Sequence, residues 1–201
     1  MTKRIIQKRT WNSTNVPSIA LSNSTILNKQ KIANAQSVTT SDFATYRNPV
    51  YGFTIKHPSE WTKLDISSSN AIFGTRASNG VAMVDVILAN NPAAQNTSPD
   101  ELGKRMLLYH QSHPSQLEGT FTDFTPLELN TNTYFLAGHP AYRLIYTTHD
   151  NSQSEWKAME VGTIIGDNIY FVVFFVSPSE KYADYLPIAQ DMIDSFRIAG
   201  Q

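Results

Sequence analysis

Ile169-Tyr170-Phe171-Val172-Val173-Phe174-Phe175-Val176 decides the fold. Every position is β-branched or aromatic, which suits a pleated strand and not a helix. No polar residue interrupts the run, so neither row of side chains is built to face water. A strand buried on both faces needs cover on both, and helices are the usual cover. The expectation is a central strand with helical layers above and below.

The residues on either side are read against that strand. Downstream, Ser177-Pro178-Ser179-Glu180 has the composition of a helix opening, a capping serine followed by proline and glutamate. Tyr182, Tyr185, Leu186, Ala189, Met192, Ile193 and Phe196 then recur at three- and four-residue steps, a core-facing stripe. Pro187 should kink this helix or begin a second segment. Upstream, Gly166-Asp167 reads as a tight hairpin turn. Residues 156–165 form the strand before it, with Lys157, Met159, Val161, Thr163 and Ile165 in one row. Residues 141–148 form the strand before that, with Tyr142, Leu144 and Tyr146 on one face. These three strands make a meander.

Further upstream, residues 121–129 and 133–137 read as two strands around an Asn-Thr-Asn turn, and Gly138-His139-Pro140 as a bend. Ser98-Pro99-Asp100-Glu101 opens a helix with Leu102, Met106 and Tyr109 on one side, ended by His113-Pro114. Residues 81–88 alternate, with Ala82, Val84, Val86 and Leu88 facing one way and Met83 and Asp85 the other. Residues 71–76 and 51–56 are shorter strands, and Trp61 folds back over the core. Order begins near Phe43.

Residues 1–42 read as a disordered tail, rich in Ser, Thr, Asn, Gln and Lys. Residues 1–41 hold six basic side chains and no acidic one, a charge of +6, which leaves −7 on the remainder. Lys3, Arg4, Lys8 and Arg9 precede a weakly apolar stretch and the small residues Ala33 and Ala35, the order of a degenerate secretory signal. An extracytoplasmic or secreted placement is the expectation on that ground. Residues 43–201 are long enough for one domain with a full core. Their acidic balance argues against a nucleic-acid or anionic-membrane surface. The absence of cysteine excludes disulfides, thiol catalysis and thiolate metal sites. No apolar run approaches the roughly 20 residues of a membrane span. Sequons occur at Asn12, Asn23 and Asn96.

Chemistry-bearing patterns are few. His57, His113 and His139 each precede proline and are read as serving turns. His149 and Asp150 at a hairpin tip, with Glu155, are the candidate ligands for a divalent cation. No ligand pair at metalloenzyme spacing, nucleophile elbow or phosphate loop is present. The carboxylates Asp85, Glu155 and Glu160 are expected on solvated strand faces. Trp156, near an exposed hairpin, and Glu160, in register with it, are the candidate partner-binding residues.

Several local motifs resemble the PsbP-like domain. Tyr46, Asn48 and Tyr51-Gly52-Phe53-Thr54-Ile55-Lys56-His57-Pro58-Ser59-Glu60-Trp61 look like its opening. Gly138-His139-Pro140-Ala141-Tyr142 looks like its central bend. Gly166-Asp167 with Tyr170, and Met192-Ile193-Asp194-Ser195-Phe196, look like its closing hairpin and helix. The resemblance runs from about Tyr46 to Ile198. It implies a Mog1/PsbP-like α+β fold, an α-β-α sandwich with a central antiparallel sheet and helices on both faces. It also implies a non-catalytic assembly or binding module, monomeric, with a protein partner. Plant members of the family are extrinsic photosystem II subunits that help retain calcium and chloride, and Mog1-type relatives bind a small GTPase. A carrier of a small molecule or of calcium or manganese is the alternative, and an enzyme or a photosystem II role the more distant ones.

Overall fold

The computed structural model describes residues 42–67, 70–77, 80–114 and 121–198. The expectations for the basic tail, and the sequons at Asn12 and Asn23, fall outside them. The described strands are β1 (Phe43–Arg47), β2 (Phe53–Pro58), β3 (Thr62–Ser67), β4 (Asn70–Ala77), β5 (Gly80–Asn90), β6 (Thr125–Leu136), β7 (His139–His149), β8 (Glu155–Ile165), β9 (Asn168–Ser177) and β10 (Arg197–Ile198). The helices are α1 (Pro99–Ser112) and α2 (Tyr182–Asp194). The main sheet is antiparallel, in the order β3-β4-β5-β9-β8-β7-β6, and β1-β2-β10 form a smaller one.

The all-apolar run lies in β9, the middle strand of the seven, between β5 and β8. Val172 stands opposite Val86 on one side and Val161 on the other. No residue of Ile169 to Val176 exceeds 6% exposure. Its even-numbered side chains, Tyr170 to Val176, join Val84, Val86, Met159 and Val161 under α2 and the small sheet, which contribute Met192, Ile193, Phe53 and Ile55. Its odd-numbered side chains, Ile169 to Phe175, pack with Leu144, Tyr146, Phe121 and the α1 residues Leu102 and Met106. Each fully buried side chain of this kind stabilises the fold by about 1.5–3 kcal/mol. The two helices therefore lie on opposite faces of the sheet, as expected.

Local chemistry sets most boundaries. Ser98 Oγ accepts from Glu101 N at 3.1 Å, and Pro99 occupies the first turn of α1, where its missing N–H costs nothing. Gly166 takes φ +58° at the β8–β9 turn, and Ala137-Gly138 take φ +52° and +80° between β6 and β7.

Four expectations are corrected. The stretch around Asn-Thr-Asn is not a hairpin, because both its halves pair with β7, Leu129 with Leu144 and Tyr134 with Ala141. The extra residues form a bulge in which Asn130 Oδ1 accepts from Asn132 N and Thr133 Oγ1. Ser177 does not cap a helix. It is the last residue of β9, paired with Val81, and Pro178 leads through the 3-10 turn Ser179–Lys181 into α2. Pro187 does not begin a second segment, because one helix runs from Tyr182 to Asp194 with the proline inside it. The carbonyl it leaves unbonded belongs to Ala183 in the exposed first turn, where water can serve it. Asp85 and Glu160 are not solvated but 1% and 3% exposed.

Candidate functional site

Glu160 is the most unusual group in the core, and its surroundings explain how it is tolerated. The buried face of α1 is Leu102, Gly103, Met106 and His110. A Cβ on Gly103 would come within 2.9 Å of Tyr142 Cβ and 3.0 Å of Leu129 Cδ1, so the helix reaches the sheet only because this residue has no side chain. On β7, Tyr142 stands opposite Gly162 of β8, and its ring lies over that glycine. The phenol thereby reaches along β8 and donates to Glu160 Oε1. The other carboxylate oxygen, Oε2, lies 2.9 Å from His110 Nε2.

All three groups are sealed from water, with Tyr142 at 0%, Glu160 at 3% and His110 at 4% exposure. An isolated buried carboxylate would be very unfavourable, whereas here a phenol and an imidazole both serve it. Burial first, and then the Glu160 charge, push the Tyr142 phenol well above its ordinary range. The His110 ring is flanked by Phe124 at 5.4 Å and Tyr146 at 5.7 Å. Asp85 shares the row: it pairs with Val173, which pairs on its other side with Glu160.

Sequence reasoning put Glu160 on the surface and passed over His110. The signal for His110 was its spacing, four residues beyond Met106 on the face that includes Leu102.

The cation candidates come together only in part. His149 and Glu155 are cross-strand partners, with Nε2 and Oε2 3.9 Å apart. His149 Nδ1 lies 2.8 Å from Asp123 Oδ2. Asp150 turns to its own loop, accepting from Ser152 N, Ser154 N and Trp156 Nε1. Ser179 Oγ donates to Glu155. Among the described residues no group of three histidine, aspartate or glutamate side chains is placed to hold a metal ion. The histidines before prolines have local partners. The His57 ring stacks on Phe73 at 4.4 Å, and the His113 ring stacks on Tyr109 at 4.9 Å. His139 begins β7.

Trp156 stands at the start of β8. It is half-buried, its ring meets Phe121 edge-on at 5.8 Å, and its N–H is used by Asp150. Among the described residues the exposed large apolar side chains are Val50, Leu108, Leu127 and Phe135, the last two at 53% and 60% on β6. β6 ends the main sheet. Beside it Arg143 of β7 lies over the Tyr134 ring at 4.5 Å, donates to the Tyr134 hydroxyl at 2.8 Å, and pairs with Glu128. A separate open cleft of about 430 Å³ lies between the small sheet and the end of α2, lined by Phe43, Thr45, Lys56, Asp191, Asp194 and Arg197 among others. It presents charges of both signs and no convergent donor set. No helix among the described residues is long and apolar enough to cross a membrane.

No family profile and no curated relative matches the sequence. Solved structures do. Cyanobacterial PsbP from Synechocystis superposes with a TM-score of 0.56 at 13% identity, covering 83% of this chain and 98% of that one. The Ran-binding protein Mog1p from Saccharomyces cerevisiae does so with a TM-score of 0.50 at 11% identity, covering 78% and 95%. At such identities the likeness is one of fold. The chain therefore has the Mog1/PsbP-like fold that its motifs pointed to, an α+β sandwich with a helix on each face of a central antiparallel sheet.

Proposed function

We propose that this chain is a non-catalytic module that docks on a protein partner through the β6 edge of its main sheet. The observation that carries the reading is the exposure of Leu127 and Phe135 on that edge strand. Large apolar groups held in water on an edge are the mark of a contact surface, and Tyr134 with Arg143 adds residue types enriched where binding energy concentrates. Pro126 offers no N–H, and the bulge between Asn130 and Tyr134 interrupts the ladder. Both features discourage continuation of the sheet into another chain, so the contact is made by side chains. The fold likeness to Mog1p, a Ran-binding protein, supports a protein partner of some kind. Among the described residues, the set of interacting titratable groups around Glu160 is sealed from water, which supports the non-catalytic part of the reading.

The test compares proteins retained from native extract by the tagged chain and by its Leu127→Asp, Phe135→Asp double variant. A specific partner is then purified and titrated against both. Its Kd should weaken by tenfold or more in the variant, the effect of losing one strong anchor, while the melting temperature stays put. Equal affinity for both forms refutes the reading. A chain that retains nothing, yet melts higher with calcium or manganese, supports a cation carrier built on His149 and Glu155 instead.

A further inference from the structure

We infer that Arg143 anchors an acidic side chain of the docking partner, which takes the place now held by Glu128. This rests on the β6 reading above and names the chemistry of what docks there. Arg143 of β7 stands opposite Asn130 of β6 and Val161 of β8, so it lies on the α2 side of the sheet. Its guanidinium lies over the Tyr134 ring at 4.5 Å, with Nη1 donating to the Tyr134 hydroxyl at 2.8 Å and Nη2 to Glu128 Oε1. Nε is buried and, among the described residues, has no acceptor. The Nε–H and the neighbouring Nη2–H point the same way and form an edge on which a carboxylate makes two parallel bonds. Glu128 uses one oxygen on half of that edge. The ring contact and the Nη1 bond already fix the guanidinium, so an incoming carboxylate meets a donor pair that loses little freedom on binding.

The surroundings favour the exchange. Glu128 has a side chain 45% exposed and follows a register shift in the edge strand, so it turns into water at little cost. An ion pair that open contributes little by itself. Leu127 precedes it, exposed, and supplies apolar surface beside the anchor. A second unserved donor belongs to the same group. Tyr182 of α2 is 7% exposed, and its hydroxyl has no partner among the described residues. Burial pushes that phenol up to about 12, against the Arg143 charge that draws it down, so it stays a donor and adds no competing negative charge. The Lys157 ammonium lies 4.6 Å over the same ring. At about 0.15 M salt, charges are screened beyond about 8 Å, so the acidic balance of residues 42–201 is largely hidden from a carboxylate at this spot. The ligand that fits is a protein segment with an aspartate or glutamate flanked by apolar residues.

The full chain, held by a terminal tag, selects from random peptides displayed on phage, and enriched peptides are synthesised and titrated by fluorescence anisotropy. They should carry Asp or Glu beside apolar residues. Changing that acid to its amide should weaken binding to the parent about tenfold or more, and to Arg143→Gln by less than about twofold. Glu128→Gln removes the resident carboxylate and should tighten binding about threefold. No enriched peptide, enriched peptides without an acid, equal losses in parent and Arg143→Gln, or Glu128→Gln binding no tighter than the parent each overturn the anchor. If Arg143→Gln does not fold, the peptide amides and Glu128→Gln decide in its absence. Peptides lost by the Leu127→Asp, Phe135→Asp variant but indifferent to Arg143 overturn the anchor and leave the docking surface standing. Peptides that bind that double variant as tightly as the parent overturn the docking reading and the anchor with it.

Discussion

Gly162→Ala tests how the Glu160 cluster is accommodated. The substitution adds one methyl group to a strand whose backbone would otherwise accept it. A Cβ built at this position lies 2.7 Å from Tyr142 Cζ and 2.8 Å from its Oη, with Cε1 nearer still. No real Cβ sits so close, so the ring must move. It is boxed in from the other side by Gly103, where helix and strand are already at contact distance. Overpacking in a tight core costs about 1–3 kcal/mol. Displacing the ring also takes the phenol from Glu160, and losing a hydrogen bond to a charged group costs about 1.5–3 kcal/mol more. The expected sum is about 2.5–6 kcal/mol, a large share of a typical domain stability of about 5–15 kcal/mol. Urea unfolding followed by far-ultraviolet circular dichroism measures it. The same substitution in a Tyr142→Leu background provides the control, since the shorter side chain vacates the space over residue 162. There the added methyl should cost less than about 1 kcal/mol, a coupling of about 1.5 kcal/mol or more between the two positions. A cost near zero in the parent, or the same cost in both backgrounds, would show that the ring does not depend on the glycine.

Two further substitutions probe the core strand and the β7–β8 turn. Phe174→Asp places an unpaired charge at a fully buried position in the middle of the sheet and should abolish cooperative folding, read by near-ultraviolet circular dichroism and a melting scan; a soluble variant with a sharp transition would contradict the placement of β9. Burial pushes the Asp150 carboxyl up, but bonds from Ser152, Trp156 and Ser154 outweigh it and hold its pKa below 3.8. The stability it contributes is thus complete above that value and lost as pH falls through the lower one. Asp150→Ala should melt below the parent at pH 6, with the gap closing as the solution is taken below pH 3.8; a gap that persists unchanged at pH 2 would show that the turn does not depend on the carboxylate.

The fold was legible because its decisive signals are local. Eight consecutive β-branched and aromatic residues can only be a strand covered on both sides, and β9 is one. Ser98 caps α1 and Gly166 turns the last hairpin through chemistry contained within a few residues. The tertiary structure was needed wherever the same local pattern admits two settings. Asn130-Thr131-Asn132 has turn composition, yet it bulges, since what lies beyond it rejoins the same neighbour and not a new one. Ser177 has capping chemistry but is already spent as a strand residue.

The candidate site was hardly legible at all. Alternation along β8 separates Glu160 from Met159 and Val161, and that parity is all the sequence determined about it. Parity names a face of the sheet; it carries no information about what covers that face. Here the cover is α1, brought down onto the strand by Gly103, and it supplies the histidine from a segment 50 residues away. A carboxylate is exposed or sealed according to which distant element packs over it, and only the folded chain decides that.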